Sequence, residues 1–298
     1  MGVDGTDNTE EPTVRALCQD SCAERVLMHR GKHSCFYRLY WGKQDVWLGL
    51  KEEECLDPIA TWRNLTAIQH LNSEFILHYY NICVDTNCDT LLRLLTELMD
   101  YTLSDVIHCR RGRSHLTENQ TKAIAFLTLH ALVDLHDRIG MVHADISPSN
   151  IFLRVTGELK LGDLSSAIPV NAAVNYFAGT VLYTAVEVLK DRQLASNPGS
   201  DIWALGVILH ECVNGRHPFA ETSNENFWEF LSLMETARRA ERQPVCSPGL
   251  SQEFHDILCA MLRWDTTQRP CARSLLEHMW FSQYNVTSAQ QELCFMVR

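Results

Sequence analysis

The sequence predicts an α+β chain made of a small β-rich N-terminal lobe with one helix and a larger helical C-terminal lobe. Strand-like apolar runs crowd the first hundred residues, helical periodicity takes over after Thr117, and no internal repeat interrupts the change. The composition is globular: 46% of the 298 residues are hydrophobic and 21% charged, which supplies ample apolar side chain for a core.

Each element follows from local pattern. Residues 25–50 are rich in Tyr, Trp, Phe, Leu and Val, and turn signals at Gly31 and Gly42-Lys43 divide them into two or three short strands. Residues 62–71 place Leu65, Ile68 and Leu71 on one helical face. The apolar runs 75–84 and 91–98 read as strands joined by a polar turn over 85–89. Thr117-Glu118-Asn119-Gln120 is a capping box that opens a helix through Ile124, Leu127, Ala131 and Leu135. Further helices are predicted over 201–213, 226–240, 252–262 and 272–278.

Composition also excludes function classes. The net charge of −11 argues against a nucleic-acid partner, which calls for a basic surface. No stretch reaches the roughly 18 apolar residues of a membrane span; the run 202–209 suffices only for a buried helix. The acidic, polar start MGVDGTDNTEEPT is no signal peptide. It matches the myristoylation pattern M-G-x-x-x-[ST] at Gly2 and Thr6, although Asp4, Asp7, Glu10 and Glu11 oppose an anionic membrane. The twelve cysteines form no C-x-x-C pair and read as reduced thiols, so the expected location is intracellular, cytoplasmic or nuclear. The sequons at Asn64, Asn119 and Asn285 are then chance occurrences.

The residues that carry chemistry lie in MVHADISPSNIFL and ELKLGDLSSA. Asp145, Asn150 and Asp163 are two carboxylates and an amide near the ends of short strands, a set suited to magnesium on phosphate oxygens. One carboxylate is then available to accept a proton from an incoming hydroxyl.

At these residues the chain resembles the eukaryotic protein kinase superfamily, over nearly its whole length. His143-Ala144-Asp145 with Asn150 is similar to the catalytic loop H-R-D-x-x-x-x-N, and Asp163-Leu164-Ser165 stands where D-F-G is expected. Gly179-Thr180, Tyr183 and Ala185-Val186-Glu187 look like the end of the activation segment, and Arg269 looks like the arginine that pairs with Glu187. The resemblance implies a bilobal kinase-like domain over 21–282 (N-lobe 21–98, C-lobe 99–282), a disordered tail over 1–20 and a C-terminal tail over 283–298. It further implies ATP and protein substrates as partners and Mg2+ on Asn150 and Asp163, with Asp145 as base and Lys51 on the phosphates. Gly31, Ser34 and Phe36 fall on the glycine-rich loop, with Gly49 in the alanine place of V-A-I-K. Thr96 stands as gatekeeper before Glu97 and Met99 of the adenine hinge.

Several positions depart from the family pattern. Asn64 falls where the helix glutamate that pairs with the lysine belongs; Glu52, Glu53 or Glu54 are possible substitutes, but their adjacency in a strand is expected to aim them poorly. Ala144 replaces the arginine and Ser147 the lysine of the catalytic loop. His143 is expected to pack under that loop rather than transfer protons, and the basic run Arg110, Arg111 and Arg113 to lie in a solvated loop. Ala144 can bind no phosphate, and 167–178 holds no Ser or Thr and only Tyr176, so activity is expected to be independent of activation-loop phosphorylation. Two functions fit: an ATP-dependent Ser/Thr protein kinase, favoured because Lys51, Asp145, Asn150 and Asp163 are kept, or a pseudokinase that binds partners.

Overall fold

The computed structural model describes residues 24–297 except 32, 43, 56, 86–89, 110–114, 175–178 and 221–225. The expected tail over 1–20, Gly2, the basic run Arg110, Arg111 and Arg113, and Tyr176 lie outside the described residues. The chain divides into two compact units, one within Met1–His70 and His78–Leu98, the other within Leu71–Leu77 and Met99–Arg298. Together they make an α+β chain with a β-sheet unit and a helical one.

The first unit is an antiparallel sheet of β1 (Glu24–Arg30), β2 (Ser34–Trp41), β3 (Val46–Glu54), β4 (Tyr79–Val84) and β5 (Leu91–Glu97), in the order β1-β2-β3-β5-β4. Alternation along the strands sends Leu39, Trp41, Leu48, Leu50 and Leu95 to one face, where they form a buried cluster. Helix α1 (Pro58–Gln69) packs on β4 and β5 through Thr61, Leu65 and Ile68. It begins four residues before the periodicity implied, because the Asp57 side chain accepts from Ala60 N (2.9 Å) and Pro58 sits in the first turn. The expected strand over 75–84 is shorter at its start: Ile76 belongs, with its bridge partner Leu161, to the second unit, and pairing with β5 begins at Tyr79.

The second unit holds β6 (Tyr101–Thr102), α2 (Leu103–Cys109), α3 (Glu118–Val133), a π-helical turn (Asp134–Ile139), β7 (Met141–Val142), β8 (Ile151–Leu153), β9 (Leu159–Leu161) and β10 (Ile168–Pro169). It continues with α4 (Val186–Lys190), α5 (Gly199–Asn214), α6 (Phe227–Arg239), α7 (Gln252–Met261), α8 (Ala272–Leu276) and α9 (Val286–Val297). Helix α3 opens with the capping box expected from Thr117 and Gln120, and α5 is buried along almost its whole length. Glu118 ties three elements together by accepting from Ser251 N (2.8 Å), Ser251 Oγ (2.5 Å) and Trp280 Nε1 (2.8 Å). Burial opposes its charge, but these bonds outweigh the burial and hold its carboxyl below the usual glutamate range.

Residues 283–298, expected as a C-terminal tail, instead carry α9, which packs on α3. The physical reason is its apolar spacing: Ala289, Leu293 and Met296 are buried on one face. The β8–β9 turn meets α9 so closely at Gly157 (φ +93°) that a Cβ there would overlap the carbonyl of Gln290. Gly157→Ala combines a left-handed backbone with this overlap, and is expected to destabilise the chain by about 2–4 kcal/mol, measured by urea denaturation.

Candidate active site

The loop from β7 to β8, residues 143–150, is shaped by backbone amides that converge on one buried carboxylate. Asp201, in the first turn of α5, accepts from His143 N (2.8 Å), Ala144 N (3.0 Å) and His136 Nε2 (2.8 Å), and is 1% exposed. The positive end of the α5 dipole favours an anion at this place. Ala144 takes φ +63°, a left-handed conformation that costs a residue with a Cβ about 1 kcal/mol, and the bond to Asp201 holds it there.

His143 is fully buried and both ring nitrogens are used. Nε2 donates to Gly162 O (2.9 Å), while Nδ1 accepts from Asp145 N (3.3 Å). This ring is a brace between the loop and the strand end that precedes Asp163. Gly162 admits the close packing of this strand end, since a Cβ there would lie 2.8 Å from Phe152 Cε2 and 2.9 Å from Leu77 Cδ2.

Asp145 and Asn150 are brought together by the same loop. Asn150 Nδ2 donates to Asp145 O (2.8 Å) and to Asp145 Oδ2 (3.2 Å), which fixes the amide plane and leaves Oδ1 as its oxygen donor atom. Asp145 Oδ1 in turn accepts from Thr180 N (2.7 Å) and Thr180 Oγ1 (2.9 Å). Burial pushes the Asp145 carboxyl above the usual aspartate range; the neighbouring charge of Asp163 adds to this, and His143 and the Thr180 bonds oppose it. Asp163 has φ +55°, and the Ser165 hydroxyl donates to its Oδ1 (2.9 Å), so the serine in the glycine place of D-F-G orients the carboxylate. Farther along, Glu187 receives Arg269 Nη1 at 2.5 Å, the pairing expected from the sequence.

The remaining predicted residues sit in the β-sheet unit, apart from Met99, whose sulfur accepts from Arg154 Nη2 in the second unit (3.4 Å). Gly31 lies in the β1–β2 turn and its N–H donates to Ser34 O (2.8 Å). Thr96 is buried, and Glu97 N donates to His78 O (3.2 Å). Phe36 and Thr96 flank Gly49 on one sheet face: a Cβ at Gly49 would stand 2.8 Å from Thr96 Oγ1 and 3.0 Å from Phe36 Cζ. The large ring in the valine place therefore explains the missing methyl in the alanine place. Lys51 meets Glu53 at 3.0 Å, a partner that the sequence reading discounted. The signal was available: residues two apart on a strand share a face, so Glu53 accompanies Lys51 while Glu52 points to the other side.

Residues 48–281 match the family model described as the protein kinase domain. The chain belongs to the protein kinase family. Mitogen-activated protein kinase kinase 1c of Physcomitrium patens is 31% identical over 200 residues, covering 65% of this chain and 56% of that protein. MAP kinase kinase skh1/pek1 of Schizosaccharomyces pombe is 32% identical over 227 residues, covering 74% and 61%. Testis-specific serine/threonine-protein kinase 5 of Mus musculus is 31% identical over 168 residues, covering 55% and 42%. The chain thus spans about half the length of the curated relatives it matches. Protein kinases use ATP. No helix among the described residues is long and apolar enough to cross a membrane.

The fit of Phe36 over Gly49 is open to direct measurement. Gly49→Ala alone is expected to cost about 1–3 kcal/mol of stability, as overpacking does, and Phe36→Val in the same chain to recover most of that loss in urea denaturation.

Proposed function

We propose that this chain is an ATP-dependent Ser/Thr protein kinase that transfers the γ-phosphoryl group to protein hydroxyls. The observation that carries the reading is the carboxylate of Asp145, fixed by Asn150 and already accepting a hydroxyl hydrogen bond from Thr180 Oγ1 at 2.9 Å. That distance lies within the reach required of a general base. An incoming serine or threonine hydroxyl takes the same type of bond; Asp145 orients it and receives its proton as the oxygen bonds to the γ-phosphorus, the bond from that phosphorus to the β,γ-bridging oxygen breaks, and ADP leaves. Lys51 steadies the phosphates, and Gly31, Ser34, Phe36, Thr96, Glu97 and Met99 receive the nucleotide.

The donor set fits magnesium. Asn150 Oδ1 and the Asp163 carboxylate are hard oxygen donors, and the described residues contain no group of three or more His, Cys, Asp or Glu side chains able to hold a metal alone. Such a pair suits an ion whose shell is completed by phosphate oxygens and water. When bound, magnesium supplies neutralisation of phosphate charge. The retention of Asp145, Asn150, Asp163 and Lys51 favours the enzyme over a partner-binding pseudokinase.

Asp145→Asn is expected to lower phosphate transfer from labelled ATP by about 10²–10⁴-fold. Equal incorporation by the two proteins would overturn the reading. The same substitution is expected to leave the melting temperature at neutral pH unchanged or raised. The folded-state carboxyl of Asp145 is raised, so the folded chain binds more protons than the unfolded one just above the ordinary aspartate range; stability falls as pH rises through that window, and the neutral amide escapes this cost. For the same reason the acid limb of kcat/KM is expected to lie above the ordinary aspartate pKa, because Asp145 must be ionised to accept the proton. Asp163→Ala is expected to abolish the magnesium-dependent thermal shift produced by ATP; an unchanged shift would remove Asp163 from the metal site.

A further inference from the structure

Strand β3 presents three acidic residues in a row after Lys51, and they divide by face. Glu52 turns to Arg25 (2.8 Å) and Arg93 (3.0 Å). Glu53 lies two residues from Lys51, on the same side of the pleat, and its Oε2 is 3.0 Å from Lys51 Nζ. Both side chains are about four-fifths buried, at 18% and 21% exposure. The contacting oxygen is shielded from solvent and has no aligned hydrogen bond, so its partner by charge is the lysine ammonium. A shielded carboxylate oxygen without a cation is costly, and an ammonium held by such a group keeps both its charge and its rotamer. The usual objection to surface ion pairs, that solvent and side-chain entropy cancel them, has little force at this burial.

We propose that Glu53 is the positioning residue of Lys51, doing from within β3 what a glutamate on α1 does where the family pattern is kept. Position 64 on α1 is asparagine and offers no charge. Strand geometry fixes the spacing of the new pair at about 6.6 Å between Cα atoms, whatever the position of α1. The lysine therefore keeps its counter-ion without a second element being docked. Control by moving α1, which breaks a strand-to-helix pair, would leave this one intact.

The assignment rests on the nucleotide reading above, and the experiment separates the two. ATP and adenosine affinities are measured by calorimetry with magnesium present, for the wild-type chain, Lys51→Met, Glu53→Gln and Glu53→Asp. Folding of each is checked by thermal melting without nucleotide. Since Lys51 acts on phosphates, Glu53→Gln is expected to weaken ATP about tenfold and leave adenosine within about twofold. Glu53→Asp, which withdraws the charge by one methylene, is expected to fall between, and carries the test alone if the glutamine variant does not fold. An ATP affinity unchanged by either variant, or an equal loss for ATP and adenosine, would overturn the assignment while wild-type binding and its loss in Lys51→Met keep the nucleotide reading. A wild-type chain that binds no ATP would overturn both.

Discussion

The loop that carries Asp145 depends on the Asp201 carboxylate. Three donors from two places in the sequence, His136 on the π-helical turn and the His143 and Ala144 amides on the loop, end on this one buried group at the start of α5. Remove it, and two backbone N–H groups and an imidazole lose their acceptor in the interior, each at a cost of about 1–3 kcal/mol. Ala144 would also have nothing to hold its left-handed backbone. The positions of Asp145 and Asn150 follow from this clamp, with His143 as the brace that joins it to the Gly162 carbonyl.

The helices and the motif residues of the candidate site stood out because their signals are local. Thr117 with Gln120 announces a cap, the apolar run of α5 announces burial, and Asp145, Asn150 and Asp163 keep motif spacing. Asp57-Pro58 announced the start of α1 equally well, but the apolar count began inside the helix. The α9 helix was missed because the stretch is short and terminal, with polar residues between Ala289 and Leu293 and an exposed Phe295 blurring the apolar face that packs on α3. Contacts made across the sequence were least legible. Nothing in the string near Asp145 shows that Thr180, 35 residues on, will donate to it twice.

Departures from the family pattern also change meaning when taken in pairs. Gly49 alone reads as a lost methyl and Phe36 alone as an oversized valine, yet the ring occupies the space that the methyl gave up. Asn64 alone reads as a lost charge, and β3 supplies a carboxylate at ion-pair distance two residues beyond Lys51. Phe36 lies on the sheet face of Gly49 and Glu53 on that of Lys51, so strand alternation tells where to look for each compensating residue.

The burial of Asp201 has a consequence for how the loop 143–150 responds to its surroundings. A loop ordered by a phosphate gripped at the surface by an arginine is held by exposed charges, which dissolved ions screen over about 8–10 Å at physiological strength. Here the first position after His143 is Ala144, and the ordering contacts are amide N–H groups on a carboxylate that solvent scarcely reaches. Counter-ions cannot approach it closely enough to compete. The contact that shapes residues 143–150 is thereby insulated from ionic strength, as a contact between exposed charges would not be.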